Sequence, residues 1–124
     1  MAIDYNALQI LAKNTIVNTF KGIPVTIRFL NDSTIDTYAV FGNGLAKNID
    51  NIQNPTSLTG ETARYAYVPG IDFYNPDSNS TTTPQVSGFV EWRQNGVLFK
   101  KIISSVALGV PIPTAPILFT LGIT

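Results

Sequence analysis

The chain has 124 residues, of which 44% are hydrophobic and 13% charged, and its eight basic and eight acidic side chains cancel. One domain of this length can bury a hydrophobic core without disulfides or metals. The absence of cysteine and histidine excludes disulfides, thiol chemistry and the commonest general base and metal ligand. Without a basic run, a nucleic-acid-binding face is not expected. Neither a signal peptide nor a membrane helix of ~20 apolar residues is expected.

The charged fraction is about half of the ~25% that is usual for soluble domains. Two interpretations of this low value stay open. Much of the surface could face other protein, because interfaces exclude charge at their centres. Alternatively, the surface is neutral and rich in Asn, Thr and Ser.

The first predicted element is a helix over residues 5–19, with Asp4 as its N-cap. It has one broad apolar face, and two apolar residues, Ile10 and Val17, lie well off that face. A helix that is apolar on several sides normally packs on several sides. It could be buried in the core of its own domain, or clamped between its own sheet and a neighbouring subunit. The broad face consists of Leu8, Leu11, Ala12, Ile16 and Phe20.

Gly22 is expected to end the helix as a C-cap glycine, and Pro24 prevents its continuation. Strands are predicted over residues 25–30, 35–41 and 63–68, because these runs are rich in β-branched and aromatic residues. Residues 31–33 form a turn signal. The chain is therefore one mainly β domain over residues 1–124. Its N-terminal helix precedes a small antiparallel barrel or sandwich over residues 24–121, and the connections between its strands include long loops.

Two segments lack a sustained periodicity. Residues 42–60 form a long connection, and such connections in compact domains are usually functional or disordered. The polar run at residues 72–83 is expected to be an exposed loop.

The most specific local prediction is a hairpin over residues 84–103. Asn95-Gly96 favours a type I′ turn, because both central residues of that turn need positive φ. With this turn at the tip, Gln94 pairs with Val97 and Arg93 with Leu98. The same register places Trp92 opposite Phe99 and Glu91 opposite Lys100, which are favourable cross-strand pairs.

No residue constellation typical of an enzyme is found. Asp72 and Asp77 are interpreted as turn formers in a solvated loop, because the calcium-loop pattern is missing. Gly42-Asn43-Gly44 lacks the rest of a nucleotide-binding fingerprint. Tyr65 and Tyr67 share one face of a strand, and with Trp92 they could form a stacking platform. Core and interface packing is the alternative for these three aromatic residues.

Three segments together resemble the head-to-tail joining proteins of tailed phages, the stopper type found in the neck. Asp4-Tyr5-Asn6-Ala7-Leu8, followed by residues 22–28, is similar to the helix and strand that open those proteins. Residues 84–103 resemble their Pro-initiated hairpin, and residues 111–121 their Pro-rich crossover and last strand. Phe89 after Gly88 and Phe29 after Arg28 depart from that pattern, and residues 31–83 do not match it.

The resemblance implies a non-enzymatic virion protein without a cofactor, assembled in the host cytoplasm. It would form a ring, hexameric or dodecameric, between portal or adaptor proteins and tail proteins. DNA would pass through the central channel without sequence-specific binding, and no membrane is involved. Candidate channel-loop residues are Gly42, Asn43, Gly44, Lys47, Asn48, Asn51 and Gly60; candidate subunit contacts are Ile10, Val17, Tyr65, Tyr67 and Trp92.

Two alternatives are kept. The chain could be a tail terminator or tail tube subunit of the same kind of particle. It could also be a β-sandwich that binds a carbohydrate through Tyr65, Tyr67 and Trp92.

Overall fold

The computed structural model describes residues 5–42, 63–109 and 116–124. They form a helix and a closed antiparallel barrel of six strands, which confirms the mainly β prediction and selects a barrel over a sandwich. The elements are α1 (Tyr5–Asn14), a π-helical turn (Thr15–Thr19), β1 (Ile23–Arg28), β2 (Thr34–Gly42), β3 (Tyr65–Pro69), a 3-10 turn (Gly70–Phe73), β4 (Tyr74–Asn75), β5 (Ser80–Thr81), β6 (Phe89–Gln94), β7 (Val97–Gly109) and β8 (Leu118–Ile123).

The strands follow the order β1-β2-β3-β8-β7-β6 around the barrel, and β6 closes it by pairing with β1. Strand β7 serves two neighbours: its first half pairs with β6 and its second half with β8, with a bulge between Ile103 and Ser105. Alternate side chains point inward and fill the barrel, as expected for a closed sheet. The largest fully buried side chains include Phe41, Phe119, Ile27, Ile103, Leu121 and Ile123.

The predicted hairpin register is confirmed at every pair. Trp92 lies opposite Phe99, Glu91 opposite Lys100, Arg93 opposite Leu98 and Gln94 opposite Val97. Asn95 and Gly96 have φ values of 54° and 78°, as a type I′ turn requires.

The helix ends differently from the prediction. Lys21, and not Gly22, adopts the positive φ, at 55°. Gly22 donates its N–H to the carbonyl of Ile16 at 2.8 Å. A Cβ on Gly22 would lie 3.0 Å from that carbonyl oxygen and 3.1 Å from the Ile16 side chain. Glycine is therefore needed here for close packing and not for its conformational freedom.

The polar run over residues 72–83 is more ordered than the predicted loop. It begins in the 3-10 turn and continues as a two-stranded hairpin in which Tyr74 pairs with Thr81. Gly70 fixes the start of this excursion, since its N–H donates to the carbonyl of Ile117 at 3.0 Å. A Cβ at this position would overlap the carbonyl oxygen of Pro116, so the backbones can meet only at a glycine.

Candidate interaction surface

Helix α1 is attached to the barrel largely through polar contacts. Gln9 is 3% exposed, and its Nε2 donates to the carbonyl of Pro116 at 3.1 Å. Lys13 Nζ lies 2.7 Å from Asp72 Oδ1 in the 3-10 turn, and Asp72 Oδ2 accepts the hydroxyl hydrogen of Thr37 at 2.6 Å. These contacts join α1 to segments far away in the chain. The barrel-facing side of the helix thus carries Gln9 and Lys13 together with the buried Ile16 of the π-helical turn.

Part of the apolar face of the helix is exposed. Leu8 is 42% and Leu11 63% exposed on the broad face, and Ile10, off that face, is 45% exposed, whereas Ile16 is buried. The helix is therefore only partly buried, and not enclosed in the core of its own domain. A groove of about 450 Å³ runs along the exposed side between the helix and the start of β8. We call it the α1 groove; it is lined by Leu8, Leu11, Ala12, Thr15, Ile16, Phe20, Ile117 and Leu118.

The predicted subunit-contact residues divide between surface and core. Ile10 and Tyr65 are exposed, and Val17 and Tyr67 are partly buried. Burial raises the pKa of the Tyr67 hydroxyl, and the neighbouring Tyr65 adds to the rise. Both tyrosines point away from the core, because the intervening Ala66 is fully buried on the opposite face of β3.

Trp92 is a core residue, which corrects both roles predicted for it. It is 3% exposed, and its ring centroid lies 4.5 Å from that of Phe41 and 5.5 Å from that of Phe99. It therefore cannot join Tyr65 and Tyr67 in a surface platform, nor contact another subunit with its side chain. Trp92 therefore packs in the core, as the alternative to the stacking platform expected. A carbohydrate platform could not include its indole ring.

Of the channel-loop candidates, only Gly42 belongs to the described residues; Asn43, Gly44, Lys47, Asn48, Asn51 and Gly60 lie outside them. Gly42 is the last residue of β2 and pairs with Tyr65, and its carbonyl accepts the N–H of Arg64 at 2.8 Å. The carbonyl of the buried Ala63 accepts from Lys101 Nζ at 2.8 Å. The long connection therefore leaves and rejoins the barrel at adjacent, fixed positions.

The outer face of β1, β6 and β7 carries a polar cluster. Arg28 Nε donates to Glu91 Oε2 at 2.7 Å, and Lys100 Nζ lies 4.3 Å from the centre of the Phe89 ring. The hydrogen bond from Arg28 lowers the pKa of the Glu91 carboxyl, and the charges of Arg28 and Lys100 lower it further against the effect of burial. The same pairing raises the pKa of Arg28.

The end of the β6–β7 hairpin also exposes apolar side chains: Val97 is 53% and Leu98 58% exposed. Ile102, 47% exposed, lies at the other end of the hairpin, opposite Phe89. Strand β1 pairs with β6 no further than Trp92, whereas β6 and β7 pair up to Gln94 and Val97. Residues 95–98, which we call the hairpin tip, therefore extend past the pairing with β1.

The two aspartates considered as acid–base candidates, Asp72 and Asp77, differ in their surroundings. Asp72 is held by Lys13 and Thr37, which corrects its interpretation as a solvated turn residue. Asp77 is exposed, and its N–H donates to Asn75 Oδ1 at 2.9 Å. Among the described residues, no group of three or more metal-ligating side chains comes together. The helix in that part of the chain is too short to cross a membrane.

The sequence alone did not predict the α1 groove. The relevant signal was present, because the polar residues Gln9 and Lys13 interrupt the apolar pattern on one side of the helix. Which side meets the barrel depends on Asp72 and Pro116, whose positions near the helix no local pattern specifies. Comparison with known protein families, with curated protein sequences and with solved structures finds no match for this chain.

Proposed function

We propose that this chain is a structural, non-enzymatic subunit of the neck of a tailed-phage particle. It forms a homo-oligomeric ring, hexameric or dodecameric, between portal or adaptor proteins and the tail. The observation that carries the proposal is the set of exposed apolar side chains on α1. Leu11 alone is 63% exposed, and an apolar groove beside a helix is typical of a surface that another protein covers.

The low charge of the chain supports the same conclusion. Eight acidic and eight basic residues in 124 leave much of the surface without charge, and some of these are paired with each other. Interface centres exclude charged side chains because their desolvation is costly. A subunit that contacts neighbours on two sides, and other proteins above and below, needs such a surface.

The resemblance to stopper proteins supports the place of this ring in the particle. In this proposal residues 42–60 approach the channel and help to retain DNA. Their contact with DNA is not sequence-specific. The fixed bases of that connection, at Gly42 and Tyr65, suit a segment that has to be held in a defined position. Its role remains a prediction from the resemblance.

Gold-labelled antibody against the chain tests the proposal on particles made from the genome that encodes it. We expect label at the head–tail junction, and retention of that label on heads made without tails. Label on free tails would support the tail terminator or tube alternative instead. Intact particles without any label would overturn the proposal.

Two matched substitutions test whether incorporation at the head–tail junction depends on the exposed apolar side chains of α1. Leu11 and Leu30 are 63% and 64% exposed, so aspartate at either position faces a similar solvent environment. Leu11→Asp places an unpaired charge in the proposed contact. Burying that charge should lower the amount of the chain incorporated into particles by at least about tenfold. Leu30→Asp, in the turn after β1, is expected to leave incorporation unchanged.

A further inference from the structure

The second half of strand β7 has an open edge. Strand β7 is 13 residues long and β6 only six, so β6 pairs with β7 no further than Ile102. The last contact on that side is the carbonyl of Ile103, which accepts the N–H of Ser87 at 2.8 Å. Beyond it, β8 pairs with Ser105 to Gly109 along the opposite edge of β7. In the described part of the chain, no strand pairs with the edge of these five residues that faces away from β8.

The hydrogen-bond pattern identifies the backbone groups that face this open edge. The N–H of Ile123 in β8 points away from β7, because it donates at 2.9 Å to the carbonyl of the residue before β3. Backbone groups alternate along a strand, so the next residue of β8, Gly122, bonds to Ser105 of β7. By the same alternation, the N–H and C=O groups of Val106 and Leu108 point to the open edge.

The side chains at this edge are incompletely covered as well. Val106 and Leu108 lie on the inner face of the sheet, opposite the fully buried Leu121 and Phe119. Val106 packs against the core, whereas Leu108 is 54% exposed. The bulge in β7 precedes this segment, and its five residues include neither lysine nor proline. Such an edge is a ready template for pairing with another strand.

We propose that two copies of this chain pair through these edges, antiparallel and about a two-fold axis at Ala107. In this register Val106 of each copy lies opposite Leu108 of the other. Both residues face the partner, so each pair exchanges two N–H···O hydrogen bonds and the open backbone groups of both copies are satisfied. The inference goes beyond the proposed ring and does not depend on it, because a two-fold contact between like edges is not the head-to-tail contact that closes a ring.

The edge is complementary to itself, which makes a second copy its occupant. The segment Ser105-Val106-Ala107-Leu108-Gly109 is uncharged, so no like charges meet when it pairs with its own copy. The axis brings together two alanines, whose small side chains suit the close approach of a non-hydrogen-bonded pair. Each exposed Leu108 gains the other copy's Val106 as a cross-strand neighbour, and this removes apolar surface from water. A shift by one residue would set edge-facing groups against groups that already bond to β8.

Charges at the axis test this register in the full-length chain. Ala107→Lys and Ala107→Glu each set like charges directly opposite each other, so each variant alone should pair about fivefold more weakly than the parent. A mixture of the two variants sets opposite charges there and should restore pairing as a mixed dimer. Sedimentation velocity over a concentration series measures each Kd. Val97→Lys adds the same charge at the other end of β7, where Val97 is 53% exposed, and should leave the Kd unchanged.

Leu108→Pro tests the backbone hydrogen bonds. It removes an N–H that faces the open edge and leaves the ladder between β7 and β8 complete, a position at which a strand tolerates proline. We expect a Kd for pairing at least about tenfold higher, with cooperative thermal unfolding retained. In the parent, the Val106 amide should exchange its hydrogen more slowly as the concentration of the chain rises.

The outcomes are decisive for this contact. A parent chain that stays monomeric over the whole series would overturn the inference, and so would a dimer that both Ala107 variants form as well as the parent. Neck labelling is a separate readout. A chain that pairs but never labels particles would overturn the proposed function alone, whereas a chain that labels the neck but never pairs would overturn this inference alone.

Discussion

At the scale of single residues, the best-defined electrostatic contact joins Arg28 to Glu91. Two guanidinium nitrogens face the two carboxylate oxygens, at 2.7 and 3.4 Å, and the Glu91 side chain is 18% exposed. This contact spans neighbouring strands, because Thr26 lies opposite Glu91 and Arg28 opposite Phe89. It ties β1 to β6 where the barrel closes.

Glu91 makes stability depend on pH in the acid range. Its pKa in the folded state lies below the ordinary value of 4.5, mainly because Arg28 donates a hydrogen bond to it. Stabilisation by the carboxylate is therefore complete above the ordinary pKa and is lost as the pH falls through the lowered one. Glu91→Gln should cost about 1 kcal/mol or less near neutral pH, as expected for a partly exposed pair. Near about pH 3 the difference from the parent should become smaller.

Urea unfolding, followed by the fluorescence of Trp92, the single tryptophan, measures the loss of stability at both pH values. Asp32→Asn is the matched control, because Asp32 is 3.5 Å from Arg28 and its side chain is 89% exposed. Asparagine also tolerates the φ of 73° at this position. An equal cost of Glu91→Gln at both pH values would refute the linkage.

At the scale of elements, helix α1 depends on Asp72. The carboxylate bridges the helix and β2, since it accepts from Lys13 at 2.7 Å and from Thr37 at 2.6 Å. Thr37 is 3% exposed, so its hydroxyl cannot turn to bulk water when Asp72 is removed. Leaving a buried hydroxyl without its acceptor costs about 1–3 kcal/mol.

Asp72→Ala should therefore lower the free energy of unfolding by about 1–3 kcal/mol and speed hydrogen exchange in residues 5–19. Lys13→Met is the control, because it removes only the partner charge and keeps an apolar stem. The Lys13 side chain is 37% exposed, so its loss should cost about 1 kcal/mol or less. Equal costs for both variants, or unchanged exchange in the helix, would contradict this anchoring.

The elements also show how far local sequence patterns extend. The hairpin register follows from the Asn95-Gly96 turn and its cross-strand pairs, all within a few residues of one another, and it was correctly predicted. The orientation of α1 depends on Asp72 and on the carbonyl of Pro116, 59 and 107 residues away from their partners. A helical pattern gives no information on where such partners lie, so the burial of Gln9 against the barrel was not expected.

Trp92 illustrates a second limit of the same kind. Its pairing with Phe99 was predicted, but the pairing alone does not say which face of the sheet points inward. Trp92 lies opposite the buried Val25, whereas Tyr65 and Tyr67 alternate with the buried Ala66 and Val68. The alternation of tyrosines with small aliphatic residues was therefore the signal that separated these tyrosines from Trp92.

At the scale of the whole molecule, the driving force for the proposed ring is apolar contact between neutral surfaces. The chain has a net charge of zero at pH 7, and no residue that lines the α1 groove is charged. The Debye length falls from about 10 Å at 0.1 M salt to about 3 Å at 1 M, so added salt weakens exposed charge pairs but leaves apolar contacts intact. Sulfate strengthens apolar burial because it is excluded from protein surfaces, and cooling weakens it.

Rings collected from particles should accordingly stay assembled when sodium chloride is raised from about 0.1 to about 1 M. Replacing chloride with sulfate should raise the assembled fraction, and cooling should lower it. Sedimentation velocity measures each fraction directly. Dissociation of the unaltered ring in high salt would mean that charged residues hold the copies together, and an apolar contact through α1 would then be refuted.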